Sequence, residues 1–328
     1  MFMPFDIMRT FMFTMIYKRL FTAIFSLFIV GVLVFFVTES LPGDFCTSYL
    51  GQNATGSRLE QCRIDNNLNA PLVERFSLWS ENVVSGNLGT SLKRQRPVSD
   101  VLVPRLENTL ILGGIAALIG IPIAIFLGCI AGLRANKKSD HFISIASLFT
   151  MTVPEFVTAT LLTLIFSIWL PWFPAVTLIG ENASLSELLP NVVLPVVALS
   201  MAMIAHILRM VRSCMITVMN SSYIKMARLK GIPYWYIVFH HALPNALLPA
   251  INIIALTIAW LLGGVVIIEQ VFNYPGIGSL MISAIYDRDL PVVQGVAIVL
   301  AIIYILVNLC ADLLTCILNP KLRTQQGY

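Results

Sequence analysis

The side chains able to do chemistry are few and widely spaced. There are four histidines, His141, His206, His240 and His241, and three acids that stand in apolar surroundings, Glu155, Glu269 and Asp312. His206 could relay a proton or bind haem, but a single histidine in an apolar helix is more often a hydrogen-bonded core residue. His240 and His241 are neighbours in sequence, so on a helix they point in different directions and do not share a metal. A proton-coupled carrier needs acids that converge near the bilayer midplane; Glu269 and Asp312 fall toward the ends of their segments. Glu155 directly follows Pro154, and an acid beside a proline break lines a polar passage or, equally, is a buried hydrogen-bonded glutamate. No GK dipeptide occurs, so the phosphate-cradling GxxxxGK[ST] loop is absent; HExxH, paired CxxC and GxSxG are absent too. The chain therefore carries no recognisable nucleotide, zinc or serine-nucleophile chemistry, and no cofactor or metal is expected on it.

The elements that hold these residues are membrane helices. Of 328 residues 57% are hydrophobic and 12% charged, and the mean hydropathy of +0.83 exceeds what a soluble domain of this length needs. Six apolar segments, 13–37, 106–133, 142–170, 188–210, 248–271 and 292–318, are each long enough to cross a bilayer. Arg9, Lys18 and Arg19 precede the first; Arg134, Lys137 and Lys138 follow the second; Arg209, Arg212, Lys225, Arg228 and Lys230 follow the fourth; Lys321 and Arg323 close the chain. By the positive-inside rule these alternate segments, and both termini, are cytoplasmic. The 171–190 loop has no lysine or arginine, and the long 38–105 loop reads as a small folded extracytoplasmic insert. The first span lacks a small-x-small cleavage pattern and reads as a retained anchor. Cys46 and Cys62 are the cysteines that fall in the oxidising compartment under this topology, and a disulfide between them that closes the insert is an expectation for the structure to test.

The stretch between the fourth and fifth spans, SYIKMARLKGIPYWYIVFHHALPNALLP, places structure-breaking residues among cations and aromatics. Asn220, Ser221 and Ser222 offer helix-starting acceptors, Lys225, Arg228 and Lys230 suit a helix C-terminus, and Gly231 suits the left-handed residue that ends it. Pro233 opens a second short helix that Pro244 would close. The pair reads as a rigid cytoplasmic knob, and a rigid knob is a docking device. Tyr234, Trp235, Tyr236 and Phe239 serve as its contact surface or as an ordinary interfacial aromatic belt, with equal weight. NYPGIG, with Pro275, Gly276 and Gly278, reads as a tight extracytoplasmic turn, and Asp287, Arg288 and Asp289 as a solvated face.

ARLKGIPYWYIVFHHALPNALLP resembles the cytoplasmic loop of binding-protein-dependent ABC importer permeases, whose pattern is EAA, three residues, Gly, nine residues, Ile, one residue, Leu-Pro. Ala227, Gly231, Leu243 and Pro244 stand at matching positions, whereas Lys225 and Met226 replace the Glu and first Ala, and His241 replaces the Ile. GNLGTSLKRQRPVSDVLVPRLENTL, EQVFNYPGIGSL with DRDLPVVQG, and VNLCADLL with NPKLR are similar to the B-type permeases of dipeptide, oligopeptide and nickel importers, with Asn87 and Glu107 departing. LPGD at 41–44 carries the resemblance of the N-terminal part. It implies an all-α, six-span type I (MetI-like) permease core at 105–320, containing the coupling loop 213–248. Ahead of it, 1–104 would be an N-terminal helix plus periplasmic insert, and 321–328 a cytoplasmic tail.

The same resemblance implies a multi-pass subunit of a bacterial inner membrane. Its partners would be a homologous second permease forming a heterodimer, two ATPase subunits carrying ATP and Mg, and a periplasmic solute-binding protein, with no nucleic acid. Peptides are the first substrate class it implies, with nickel complexes, opines and glycosides behind; the contrasting classes are a proton-coupled secondary carrier and a membrane-embedded enzyme.

Overall fold

The computed structural model describes residues 5–40, 44–66, 68–177 and 189–318. The 321–328 tail and Leu41, Pro42 and Gly43 of the LPGD motif lie outside the described residues, as does the Asp312 side chain. The described residues are mostly helical, with one isolated bridge between Thr90 and Pro97. In chain order the helices are α1 (Phe5–Glu39), α2 (Phe45–Leu50), α3 (Gly56–Asp65), α4 (Leu72–Val84), α5 (Val98–Leu133), α6 (Lys138–Thr152), α7 (Glu155–Thr163), α8 (Val193–Met219), α9 (Ser222–Leu229), α10 (Tyr234–Tyr236), α11 (Leu243–Val271), α12 (Ile277–Tyr286) and α13 (Leu290–Leu318). Four of them contain segments long and apolar enough to cross a membrane: Arg19–Glu39, Val98–Leu133, Val193–Met219 and Leu290–Cys310. Helices α6 and α7 together make a fifth if they are one span, but they are bent by 101°. The bend falls at Val153–Pro154, where proline disfavours helical geometry in the residue before it; Val153 is extended, with ψ at 124°. The expected span at 248–271 falls within α11, several of whose side chains are outside the described residues.

The chain divides into two compact units that do not follow chain order: 1–109 with 180–182 and 275–305, and 110–179 with 183–274 and 306–328. In the first unit α1 packs on α4. Phe35 meets Phe76 and Trp79 edge-on or tilted at 5.2 and 5.4 Å between ring centres, Gly31 leaves room for Trp79, and Glu39 pairs with Arg75 at 2.5 Å. Val98, Leu102, Ile277, Leu280, Val292 and Val296 form its second apolar cluster. Asp44 caps α2 through a capping box with Thr47 and pairs with Arg63 of α3, and Cys46 and Cys62 are joined by a disulfide. Burial pulls the Asp44 carboxyl up, but the Thr47 amide and the Arg63 guanidinium outweigh it and leave it below the usual carboxylate range.

In the second unit α5 and α8 approach so closely that a Cβ on Gly128 would sit 2.8 Å from Val211 Cβ and 2.9 Å from the Leu208 carbonyl. Gly132 is similarly close to Met215. Small residues let apolar helices gain dispersion contacts where lipid supplies no hydrophobic drive. Asp140 at the start of α6 is 1% exposed and takes a two-pronged bond from Arg212 of α8, at 2.5 and 2.8 Å, with the Asn136 amide and Ser144 as further donors. Burial, with Glu269 beside it, raises the Tyr274 phenol well above its ordinary range, so it stays un-ionised.

Candidate functional site

Three groups of residues carry the polar and surface features of the chain. The first is the knob between α8 and α11. Helix α9 ends in a Schellman motif: the Ile232 amide donates to the Ala227 carbonyl, the Gly231 amide to the Arg228 carbonyl, and Gly231 takes φ +74°. At its other end the expected side-chain cap is not made; Ser221 occupies the cap position but its hydroxyl donates backward to the Val218 carbonyl at 2.6 Å. Pro233 precedes α10 as expected, yet Pro244 does not close that helix. A π-helical turn, Ile237–Ala242, carries α10 directly into α11, and Pro244 lies in the first turn of α11. Wider π hydrogen bonding allows the ladder to pass the residue without an N–H, so the expected break is absorbed.

The knob's underside is Ile224, Ile237, Val238 and Ala242, buried with Met215 of α8 and flanked by Ala227 and Leu243. Its outer face presents Lys225, Arg228, Trp235 and Phe239 to the exterior, Trp235 62% exposed and stacked on Phe239. Tyr236 stacks on His240 at 4.2 Å. No group of three or more possible metal ligands occurs among the described residues.

The second group lies on α6, α7, α8 and α11. Two adjoining cavities of about 510 and 470 Å³ share Met151, His206 and Trp260 in their walls; Arg209 lines the first and Glu155 the second. Glu155 Oε1 is buried without a hydrogen-bond partner. His206 is not the core histidine expected from its sequence setting: it is exposed on the cavity side, with its ring 5.9 Å from that of Trp260. Arg209, one turn on, donates to Met151 Sδ at 3.5 Å.

The third group closes the first unit. Asn108 donates to the Pro275 carbonyl at 2.9 Å, and the Ile277 amide at the start of α12 donates to Thr109 Oγ1 at 2.8 Å. Gly276 is the cap residue of α12 in extended conformation, so the turn ends there; Gly278 is buried inside α12 rather than in the turn. Asp289 corrects a second expectation. It is 1% exposed, not solvated, and accepts from the Ser91 hydroxyl at 2.5 Å and from the Leu92 and Lys93 amides at 3.0 and 3.4 Å. Lys93 Nζ meets Asp287 at 2.5 Å. Two stretches that drew attention only as motifs, LGTSLK and DRDL, thus form one clasp. No local signal in the sequence pairs them, because Ser91 and Asp289 lie 198 positions apart.

Comparison with known proteins agrees along most of the chain. Residues 120–324 match the family described as binding-protein-dependent transport system inner membrane component, and residues 12–113 match the N-terminal region of such membrane components. A probable peptide ABC transporter permease of Sinorhizobium fredii is 33% identical over 94% of this chain and 98% of its own length. A putative peptide permease of Brucella ovis is 34% identical over 93% and 97%. The oligopeptide transport system permease protein AppB of Bacillus subtilis is 32% identical over 89% and 94%. A crystal structure of an amino acid ABC transporter with histidines covers 66% of this chain and 94% of its own at a TM-score of 0.51 and 14% identity, a likeness of fold.

Proposed function

The chain belongs to the binding-protein-dependent transport system inner membrane component family, a multi-pass membrane component of ABC importers, and on that premise we propose that it moves peptides by alternating access driven from its knob. Its relatives named for peptides match over nearly their full lengths, which supports the substrate class. The family is a transport component and not an enzyme, and a proton-coupled carrier is not favoured. The absence of a phosphate-binding loop from the sequence supports assigning ATP and Mg to partner subunits. The assembly we propose has a homologous second permease, two ATPase subunits and an external solute-binding protein. The lysine and arginine distribution supports six spans with both termini cytoplasmic, the knob on the same side, and α2 to α4 forming the periplasmic insert.

The observation that carries the mechanism is the fixed cap of α9. Gly231 and the two Schellman bonds set the angle of α9, a buried apolar underside holds it to α8 and α11, and an exposed basic and aromatic face remains for a partner. Closure of the ATPase pair would move this body as a unit and switch access. The test is ATP hydrolysis and peptide uptake by the full complex in proteoliposomes. Gly231→Leu, whose side chain would enter open space, and Trp235→Ala should both keep hydrolysis and lose uptake per ATP. Wild-type uptake per ATP in both variants at normal membrane levels would mean that the knob is not the coupling element.

A further inference from the structure

We infer that the adjoining cavities on α6, α7, α8 and α11 form a two-point site for a short zwitterionic peptide, with Glu155 receiving its ammonium end and Arg209 its carboxylate end. The inference rests on the importer reading above and gives the passage its chemistry. Glu155 Oε1 is buried and unpartnered, and Arg209 has Met151 Sδ, not a carboxylate, as its hydrogen-bond partner among the described residues. Arg209 is exposed at the wall of the first cavity and Glu155 stands in the wall of the second, so the two cavities offer opposite charges to whatever enters them.

Their arrangement is directional. His206 and Arg209 are three residues apart on one face of α8; His206 and Trp260 line both cavities, whereas Arg209 lines only the first and Glu155 only the second. The bend at Pro154 puts Glu155 at the start of α7, where the chain leaves the line of α6, and the residue stands in the wall of the second cavity. Each cavity lies within the range that holds small ligands, and an extended tripeptide is roughly 10 Å long. Trp260 offers an aromatic face to an ammonium approaching Glu155, and the guanidinium of Arg209 matches a carboxylate in two-pronged geometry. The middle of the site, Met151 with the flat rings of His206 and Trp260, offers adaptable apolar contact and few fixed polar groups. Such a site reads the two chain ends and tolerates varied side chains.

The experiment uses the complete complex in nanodiscs and a tripeptide carrying a central benzophenone, in three forms: both ends free, N-acetylated, and C-terminally amidated. Cross-linking to segments containing Met151 or Met210 is read by mass spectrometry. The free form should label at least about tenfold more than either blocked form, the discrimination of one charge-assisted hydrogen bond. Glu155→Gln should bring the free form down to the acetylated level and leave acetylated labelling unchanged; Arg209→Gln should do the same against the amide, and Arg209→Lys should restore part of it. Equal labelling by all three forms, labelling only elsewhere, no labelling, or a loss in the variants that falls on all forms alike overturns the two-point site. ATP-driven uptake by the same wild-type complex with its binding protein is measured alongside: its presence with unselective labelling rejects this site alone, and its absence rejects the importer reading.

Discussion

The clasp around Asp289 and the face around Glu155 are built from the same kinds of side chain and treat them in opposite ways. In the clasp, a carboxylate 1% exposed receives a hydroxyl and two amides, and Asn108 and Thr109 each meet a backbone group of the turn before α12. Around Glu155, a buried carboxylate oxygen has no partner, and the arginine that lines the adjoining cavity has a thioether. Buried polar groups are almost always matched, so matched ones mark where the chain fixes its own backbone. Unmatched ones mark where it meets something it does not contain.

That contrast breaks most visibly through stability. Asp289→Ala strands the Ser91 hydroxyl and the Leu92 and Lys93 amides and should cost about 3 kcal/mol or more, whereas Glu155→Gln should change stability by less than about 0.5 kcal/mol. Thermal unfolding in detergent, monitored on both variants, decides; equal losses would erase the distinction. A smaller version of the same test compares Thr109→Val with Arg209→Gln. The first removes the acceptor for the leading amide of α12 and should cost about 1 kcal/mol, and the second should be close to neutral in the same assay.

The smallest effect comes from a third setting, Asp44, which is matched but partly exposed. Its folded carboxyl lies below the ordinary value of 3.8, so the folded state binds fewer protons there than the unfolded one. The stability it contributes is present above that ordinary value and is lost as pH falls through the folded one. Amide exchange in α2 and α3 should therefore speed up below about pH 4 more in wild type than in Asp44→Asn. Identical pH profiles would show that the cap contributes nothing.

The sequence exposed what is periodic or locally encoded. The expected spans fall mainly along helices where they are described, except that 142–170 is divided between α6 and α7 at Pro154, and Gly231 takes the left-handed turn its position after Lys230 demands. What stayed hidden depends on partners far apart in the chain. Asp289 and Ser91 are separated by 198 positions, so an acid next to an arginine looked like a wet surface. His206 looked internal because α8 is apolar on most of its length, and only the position of Trp260 shows which side of the helix it occupies. Pro244 misled for another reason: proline rules describe α-helical hydrogen bonding, and the chain changes helix type just ahead of it. Pro154 was legible as a break but not as a bend of 101°.

The π turn ahead of Pro244 has a mechanical consequence. Because helical winding is uninterrupted over 234–271, the aromatic outer face of the knob and the far end of α11 are two ends of one bar, on the order of 50 Å long. A tilt of about 5° around its middle displaces each end by about 2 Å in opposite senses, enough to open a seam between packed side chains. Pro249, inside α11, lacks the amide that would brace the preceding turn and so sets where this bar can flex.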